Sequence, residues 1–137
     1  MSDCPLCYDK VEVSRVVYST PNVYSMIPIS PLMNGHAMVL PKDHKKIEDL
    51  SPIETMEIHD MLIILKDRLV SLDSDKHPMI VTLTDTDHSS IRDHFHYHII
   101  PSKGNIRELM AAYDKDIPEN KKLDSSELEK MAVLLRP

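Results

Sequence analysis

Alternating apolar and polar positions divide this chain into short strands around one long helical segment. The strand-forming runs are rich in Val, Ile, Met and Tyr, and turn residues separate them. These runs lie at 11–19, 23–29, 36–41, 78–84 and 94–101. The turn-like residues 20–22 between the first two runs predict a β-hairpin.

The main helix is predicted at residues 51–72. Ser51, Pro52 and Glu54 have the order of an N-cap, a first helical residue and the acidic partner of a capping box. Apolar residues then recur every three or four positions, which is typical of a helix face that packs on a core. These apolar residues are Ile58, Met61, Leu62, Leu65 and Leu69.

Two shorter helices are predicted in the C-terminal part, at 105–113 and 126–135. Each run has a capping residue with an acidic partner three positions later. The pairs are Asn105 with Glu108 and Ser126 with Glu129. We expect this tail to pack on the domain or on a partner subunit. Because the strands cluster on both sides of one helix, the pattern predicts an α+β fold with an antiparallel five-stranded sheet, one long helix and a C-terminal helical tail.

Composition favours one ordinary soluble domain covering residues 1–137. Of the 137 residues, 42% are hydrophobic and 28% are charged, which suffices for one workable core. A net charge of −6 argues against a protein that holds nucleic acid through a basic surface. No run approaches the roughly 20 apolar residues of a membrane span, and the N-terminus does not resemble a signal peptide. We therefore expect a cytoplasmic protein that binds neither nucleic acid nor membrane.

The segment HFHYHIIP places three of the eight histidines at alternate positions, His94, His96 and His98. On an extended strand these side chains share one face, about 6.6 Å apart, while Phe95 and the next alternate residues face the core. Imidazoles at that spacing are near enough to share a metal ion or a phosphate group. The alternative is an exposed polar face of an amphipathic strand, which is a weaker explanation for three histidines than for one.

A second candidate site is CPLC, with thiols at Cys4 and Cys7. Two thiolates at this spacing can occupy two corners of a tetrahedral zinc site, which needs two further ligands. Inert thiols and a redox dithiol are the alternatives. A structural disulfide is not expected in a reducing cytoplasm.

Together, CPLC, the segment ISPLMNGHAMVLPKDH at 29–44, the capped helix and HFHYHIIP resemble the histidine-triad nucleotide-binding family. The resemblance covers a core of about residues 4–101 and does not extend into the tail at 102–137. It implies an antiparallel sheet with a long helix, a homodimer and a nucleotide held through its phosphates.

By the same resemblance, His96 is the nucleophile that attacks the α-phosphorus and forms a transient nucleotidyl-histidine. His98 contacts phosphate oxygens and assists the leaving group. His36 matches a histidine near the active site and is expected to make a supporting contact, the alternative being a loop histidine without a role.

The resemblance also completes the metal site, with Cys4, Cys7, His44 and His94 as ligands of one structural zinc ion per chain. Four protein ligands leave no open position for hydrolysis. Iron is not excluded, because thiolate and imidazole ligands suit both metals.

The segment before the three histidines departs from the family. Relatives have a Gly-Gln-Ser-like stretch there, whereas this chain has DHSSIRDH. Ser89, Ser90 and Arg92 are the expected phosphate-binding residues. Pro28 stands where relatives commonly have an acidic residue that binds ribose, and Ser102 replaces a common arginine.

The leading hypothesis is a nucleotidyl hydrolase or transferase that acts on a nucleoside phosphoramidate or a dinucleoside polyphosphate. One alternative is a nucleotide-binding module with little turnover. Another is a phosphohydrolase in which all three histidines bind a catalytic metal. We interpret His59, His77 and His88 as surface or loop residues.

Overall fold

Five strands form one antiparallel sheet in the residues that the structure, a computed structural model, describes: 4–75, 77–82, 94–102 and 123–137. The strands are β1 (Val16–Ser19), β2 (Val23–Met26), β3 (Ala37–Pro41), β4 (His77–Thr82) and β5 (Tyr97–Ser102). Their spatial order is β1-β2-β3-β5-β4, with antiparallel neighbours throughout. The predicted α+β fold with a five-stranded antiparallel sheet is confirmed.

The hairpin of β1 and β2 is present, but both strands are shorter than predicted. Residues 8–15, of which 11–15 were assigned to the first strand, instead contain two 3-10 turns, Tyr8–Lys10 and Val13–Arg15. Val13 is 83% exposed, so its apolar side chain does not mark a buried strand position. The apolar alternation at 11–13 was therefore a misleading strand signal.

The long helix α1 (Pro52–Leu72) begins with the predicted capping box. The Ser51 side chain accepts a hydrogen bond from the Glu54 N–H, and the Glu54 carboxylate accepts one from the Ser51 N–H. Both bonds satisfy backbone donors that a helix start otherwise leaves without partners. All five predicted core residues of this helix are buried.

A second helix, α2 (Ser125–Leu135), covers the whole sequence predicted as helix at 126–135 and begins one residue earlier. Its capping box uses Asp124 and Glu127, not Ser126 and Glu129. The buried residues of α2 are Leu128, Met131, Ala132 and Leu135. This part of the tail therefore packs on the domain as expected, whereas the predicted helix at 105–113 lies outside the described residues.

The two faces of the sheet carry separate hydrophobic cores. Along β3, Val39 points into the main core beneath the helices, while Met38 and Leu40 point into a smaller outer core. The N-terminal segment covers this outer core with Cys4 and Leu6. None of the helices in the described parts of the chain is long and apolar enough to cross a membrane.

Candidate functional site

The histidine segment enters the sheet later than predicted. β5 begins at Tyr97, so residues 94–96, called the junction below, precede the strand ladder. Two hydrogen bonds outside the ladder hold the junction: the Phe95 N–H donates to the Lys45 carbonyl at 2.8 Å, and the Thr82 hydroxyl donates to the His96 carbonyl at 2.7 Å. The strand predicted from residue 94 is therefore wrong at its start.

The predicted alternation along this segment nevertheless persists. Phe95 and Ile99 are buried in the main core, and Tyr97 packs against that core from β5. The Phe95 and Tyr97 rings meet edge to face with their centroids 5.1 Å apart. Because these three side chains anchor one face, the histidines between them are directed away from the main core.

The first histidine joins a cluster of donors at the N-terminus. Cys4, Cys7, His44 and His94 place one donor atom each within 4.8 Å of one another, and among the described residues this is the one such group of at least three donors. The His94 Nδ1 lies 3.5 Å from the Cys4 Sγ and 3.7 Å from the Cys7 Sγ, and the His44 Nδ1 lies 3.8 Å from the Cys7 Sγ. We call these four residues the metal cluster.

The spacing of the metal cluster fits a tetrahedral ion. Zinc bonds of about 2.3 Å to sulfur and 2.0 Å to nitrogen put neighbouring donors about 3.6 Å apart. The backbone also prepares His94 for this role, since its Nε2–H donates to the Pro41 carbonyl at 2.8 Å and leaves Nδ1 as the lone-pair nitrogen. These residues could therefore hold zinc.

The middle histidine has the opposite arrangement of its ring nitrogens. The His96 Nδ1 lies 2.8 Å from the His94 carbonyl oxygen, which can only accept, so Nδ1 carries the proton. The lone pair of the neutral ring is then on Nε2. A neutral imidazole with its lone pair held on one defined nitrogen is suited to act as a nucleophile.

The last histidine pairs with His36 from the loop before β3. The Leu32 N–H donates to the His36 Nδ1 at 3.0 Å, so the proton of His36 is on Nε2, which donates to the His98 Nδ1 at 2.9 Å. Neutral His98 therefore carries its own proton on Nε2. The His96 and His98 ring centroids are 5.1 Å apart, which completes an imidazole cluster of His36, His96 and His98.

Burial keeps the imidazole cluster neutral. Burial, together with a smaller effect of a neighbouring histidine, lowers the pKa of His36 to about 3 and that of His98 to about 4. Burial also lowers the pKa of His96. The expected supporting contact of His36 is thus a direct hydrogen bond to His98.

The described residues do not include the predicted phosphate-binding segment. Ser89, Ser90 and Arg92, the expected phosphate-binding residues, lie outside the described residues, as does His88. His59 is exposed on α1 and His77 is exposed at the start of β4, as interpreted from the sequence.

Three residues that support the site were missed at the sequence level: Pro41, Lys45 and Thr82. Pro41 and Lys45 act through backbone carbonyls, which any residue can provide. The sequence around Thr82 shows only a strand residue, and its role follows from the strand pairing that places it beside the junction. The Lys45 ammonium also pairs with the Glu54 carboxylate at 2.9 Å, which connects the start of α1 to the segment that holds Phe95.

Comparison with known proteins agrees with this architecture. Residues 1–115 match the model of a family described as "Protein similar to CwfJ C-terminal". The chain is also 26% identical to the nitrilase and fragile histidine triad fusion protein NitFhit of Caenorhabditis elegans, over 92% of this chain and 30% of that protein. The chain thus spans 30% of the length of the curated relative it matches.

Solved structures, one of them named as a histidine triad family protein, share the fold. A diadenosine triphosphate hydrolase from Plasmodium falciparum is 20% identical and has a TM-score of 0.71, with 92% of this chain and 76% of that chain covered. A zinc-bound histidine triad family protein from Mycobacterium smegmatis is 18% identical and has a TM-score of 0.66, with 95% and 90% covered. At these identities the likeness establishes the fold.

Proposed function

The chain belongs to the family of proteins similar to the CwfJ C-terminal region and has the histidine-triad fold, and from this premise we propose that it is a nucleotidyl hydrolase or transferase. Its substrate is a nucleoside phosphoramidate or a dinucleoside polyphosphate, attacked at the α-phosphorus. The observation that carries the proposal is the pair of assigned ring nitrogens, with a lone pair on the His96 Nε2 and a proton on the His98 Nε2. Attack on phosphorus needs the lone pair of a nucleophile, and departure of the leaving group is helped by an N–H donor beside it.

In the first step, the lone pair of the His96 Nε2 forms a bond to the α-phosphorus as the bond to the leaving group breaks. The leaving group departs with the electron pair of that bond and takes up a proton from solvent, while the His98 Nε2–H donates a hydrogen bond that stabilises the charge developing on it. His36 holds His98 in the donating state through the 2.9 Å hydrogen bond. The product is a nucleotidyl-His96 intermediate.

In the second step, water or another acceptor attacks the same phosphorus and the phosphorus–nitrogen bond breaks. The electrons of that bond return to the His96 Nε2, and the attacking group releases its proton to solvent, so that both imidazoles end in their starting neutral states. Splitting one substitution into two steps lets the enzyme use the same two imidazoles twice. Water as the acceptor gives hydrolysis, and an alcohol or phosphate gives transfer.

The metal cluster would hold one zinc ion and supply stability, not chemistry. All four donors of this set come from the protein, which is typical of structural zinc sites. The likeness to a zinc-bound histidine triad protein supports zinc over iron. The ion would connect the N-terminal segment to the strand that carries His96.

A nucleotide-binding module with little turnover is the second candidate. Pro28 favours it, because the position lacks the carboxylate that the family resemblance assigns to ribose binding. A phosphohydrolase with three histidines on one metal has less support, because the His94 Nδ1 faces the two cysteine thiols and the His98 lone pair on Nδ1 accepts the hydrogen bond from His36. A homodimer and a cytoplasmic location complete the proposal.

The deciding experiment measures mononucleotide release from a panel of nucleoside phosphoramidates and dinucleoside polyphosphates. Wild type is compared with His96→Ala and with the control His59→Ala, which removes an exposed histidine from α1. We expect turnover by wild type and by the control, and a loss of at least about 10³-fold in His96→Ala, because the nucleophile is removed. Nucleotide binding without turnover in all three folded proteins would favour the binding module.

A further inference from the structure

The metal cluster and the imidazole cluster share one residue, His94. Its ring belongs to the metal cluster through Nδ1, while its backbone carbonyl accepts the Nδ1–H of His96 at 2.8 Å. A movement of His94 is therefore transmitted to the ring of His96 without any intervening side chain. His94 is fully buried, which leaves it little room to move independently of either cluster.

The junction has little support from the sheet. The pairing of β3 with β5 and that of β4 with β5 both end at Tyr97, one residue after His96. The described anchors of the junction are the His94 ring on the Pro41 carbonyl, the Phe95 N–H on the Lys45 carbonyl and the Thr82 hydroxyl on the His96 carbonyl. Coordination of the His94 Nδ1 would add a fourth anchor, directed from the opposite side of the ring.

We infer that occupancy of the metal cluster controls the tautomer of His96, with His94 and His44 acting as positioning residues for the nucleophile. A metal-bound His94 ring holds its own backbone carbonyl in the place where it accepts the His96 Nδ1–H. When the ring loses this anchor, the carbonyl shifts and His96 samples the other neutral tautomer, with its proton on Nε2. That tautomer has no lone pair on the nitrogen that attacks phosphorus.

The kinetic part of this inference rests on the proposed nucleotidyl chemistry, but its structural part does not. The tautomer of His96 is a property of the folded protein and is observable without a substrate. Failure to find a substrate would therefore count against the proposed function alone, and a metal-independent tautomer would count against the coupling alone.

The experiment uses protein with ¹⁵N-labelled histidine and zinc ions as the only added ligand. Long-range ¹H–¹⁵N correlation spectra assign the protonated ring nitrogen of His96 with and without metal. His44→Ala removes the exposed ligand of the metal cluster. Val11→Ala is the matched control, because it trims a side chain that packs on the outer core without removing a metal ligand.

We expect zinc-loaded wild type and Val11→Ala to show a single Nδ1–H tautomer at His96. Metal-free wild type and His44→Ala should retain their circular dichroism but show a mixture of tautomers. Their kcat should fall on the order of tenfold to a hundredfold with little change in KM, since a misplaced nucleophile slows chemistry more than binding.

Two results would overturn the inference. One is an unchanged Nδ1–H signal in folded, metal-free protein. The other is loss of the whole fold in both metal-free wild type and His44→Ala, which would give the metal a merely structural role. If only one of these two proteins stays folded, its His96 spectrum decides.

Discussion

The metal cluster and the imidazole cluster both use histidine, but for different purposes. In each case a backbone carbonyl determines which ring nitrogen keeps its lone pair. In His94 the Pro41 carbonyl engages Nε2, so Nδ1 faces the thiols. In His96 the His94 carbonyl engages Nδ1, so Nε2 keeps the lone pair. Two histidines two positions apart thus present opposite nitrogens, and the chemistry available to each follows from the carbonyl that its ring meets.

The two clusters also differ in how they meet solvent. The metal cluster is open at His44, which is exposed, and at Cys7, which is half-buried. In the imidazole cluster, His36 is 3% and His96 is 6% exposed. A metal ion or chelator therefore has access to the first cluster, whereas burial in the second maintains neutral rings at physiological pH.

The largest expected effect is the fall in kcat of His98→Asn. This substitution changes the imidazole cluster and leaves the metal cluster intact. The asparagine oxygen can still accept the hydrogen bond of the His36 Nε2–H, but the proton on the His98 Nε2 is lost. Under the proposed mechanism, kcat should fall by about 10²–10⁴-fold for poor leaving groups. A leaving group that needs no proton, such as p-nitrophenolate, should reduce the loss, and steady-state kinetics with both substrates measures this difference.

Zinc content and melting temperature provide the control for His98→Asn. Both should match those of wild type, because His98 is not part of the metal cluster. A variant that binds less zinc would contradict the proposed division between the two clusters.

Cys4→Ala addresses the metal cluster and should have the largest effect on stability. It removes a donor that is also buried in the outer core, so we expect a loss on the order of 3–5 kcal/mol in the free energy of unfolding with zinc present. Denaturant titration measures this loss. In excess chelator the difference from wild type should shrink to the packing contribution of one sulfur atom, and an equal difference with and without chelator would argue against a bound metal.

Acidification should destabilise the protein through the imidazole cluster. The pKa of His36 is about 3 and that of His98 about 4 in the folded state, both below their ordinary value of 6.5. The unfolded chain therefore binds more protons between these values, so stability is fully present above pH 6.5 and falls as the pH decreases towards 4. Each histidine contributes up to about 1.4 kcal/mol per pH unit in that window.

His36→Asn tests the source of this pH dependence. The variant lacks one of the three cluster rings whose pKa is lowered, so its stability should fall less steeply between pH 6.5 and 5 than that of wild type. Denaturant titrations at several pH values give both slopes. Equal slopes would show that the imidazole cluster does not dominate the response to acid.

The parts of the fold that the sequence predicted well depend on local chemistry. The start of α1 follows from a capping box and an apolar period contained in one segment, and its bounds were correct. At α2 two overlapping capping boxes are available, Asp124 with Glu127 and Ser126 with Glu129, and the structure uses the first. Both boxes are local patterns of the same kind, so the sequence signal did not rank them.

The strand errors have a related cause. Val11 and Val13 suggested a strand, but Val11 packs on the outer core while Val13 faces solvent, in a segment that makes 3-10 turns beside the metal cluster. Spacing alone singled out His94, His96 and His98 and the two cysteines, and the family resemblance added His44 and assigned the roles. The carbonyls that assign their nitrogens were beyond reach, because a carbonyl belongs to every residue and only the fold places it.

The smallest expected effect comes from substitutions at the two helix caps, which serve as controls for the substitutions in the two clusters. Ser51→Ala and Asp124→Ala each remove a capping side chain that accepts a backbone hydrogen bond, at 3.1 Å and 2.9 Å, and each should cost about 1 kcal/mol of unfolding free energy. Neither cap contacts a cluster. However, the partner of Ser51 is Glu54, which is bound to Lys45, whereas the partner of Asp124 is the exposed Glu127.

These two variants therefore test whether the position of the junction depends on the helix caps. Since Glu54 keeps its ion pair with Lys45 when Ser51 is truncated, we expect both variants to retain wild-type zinc affinity and turnover. Thermal unfolding, zinc titration and kinetics on the two proteins measure this. A fall in turnover confined to Ser51→Ala would mean that the start of α1 also positions His96, through the hydrogen bond from the Phe95 N–H to the Lys45 carbonyl, and that the nucleophile depends on the helix as well as on the metal cluster.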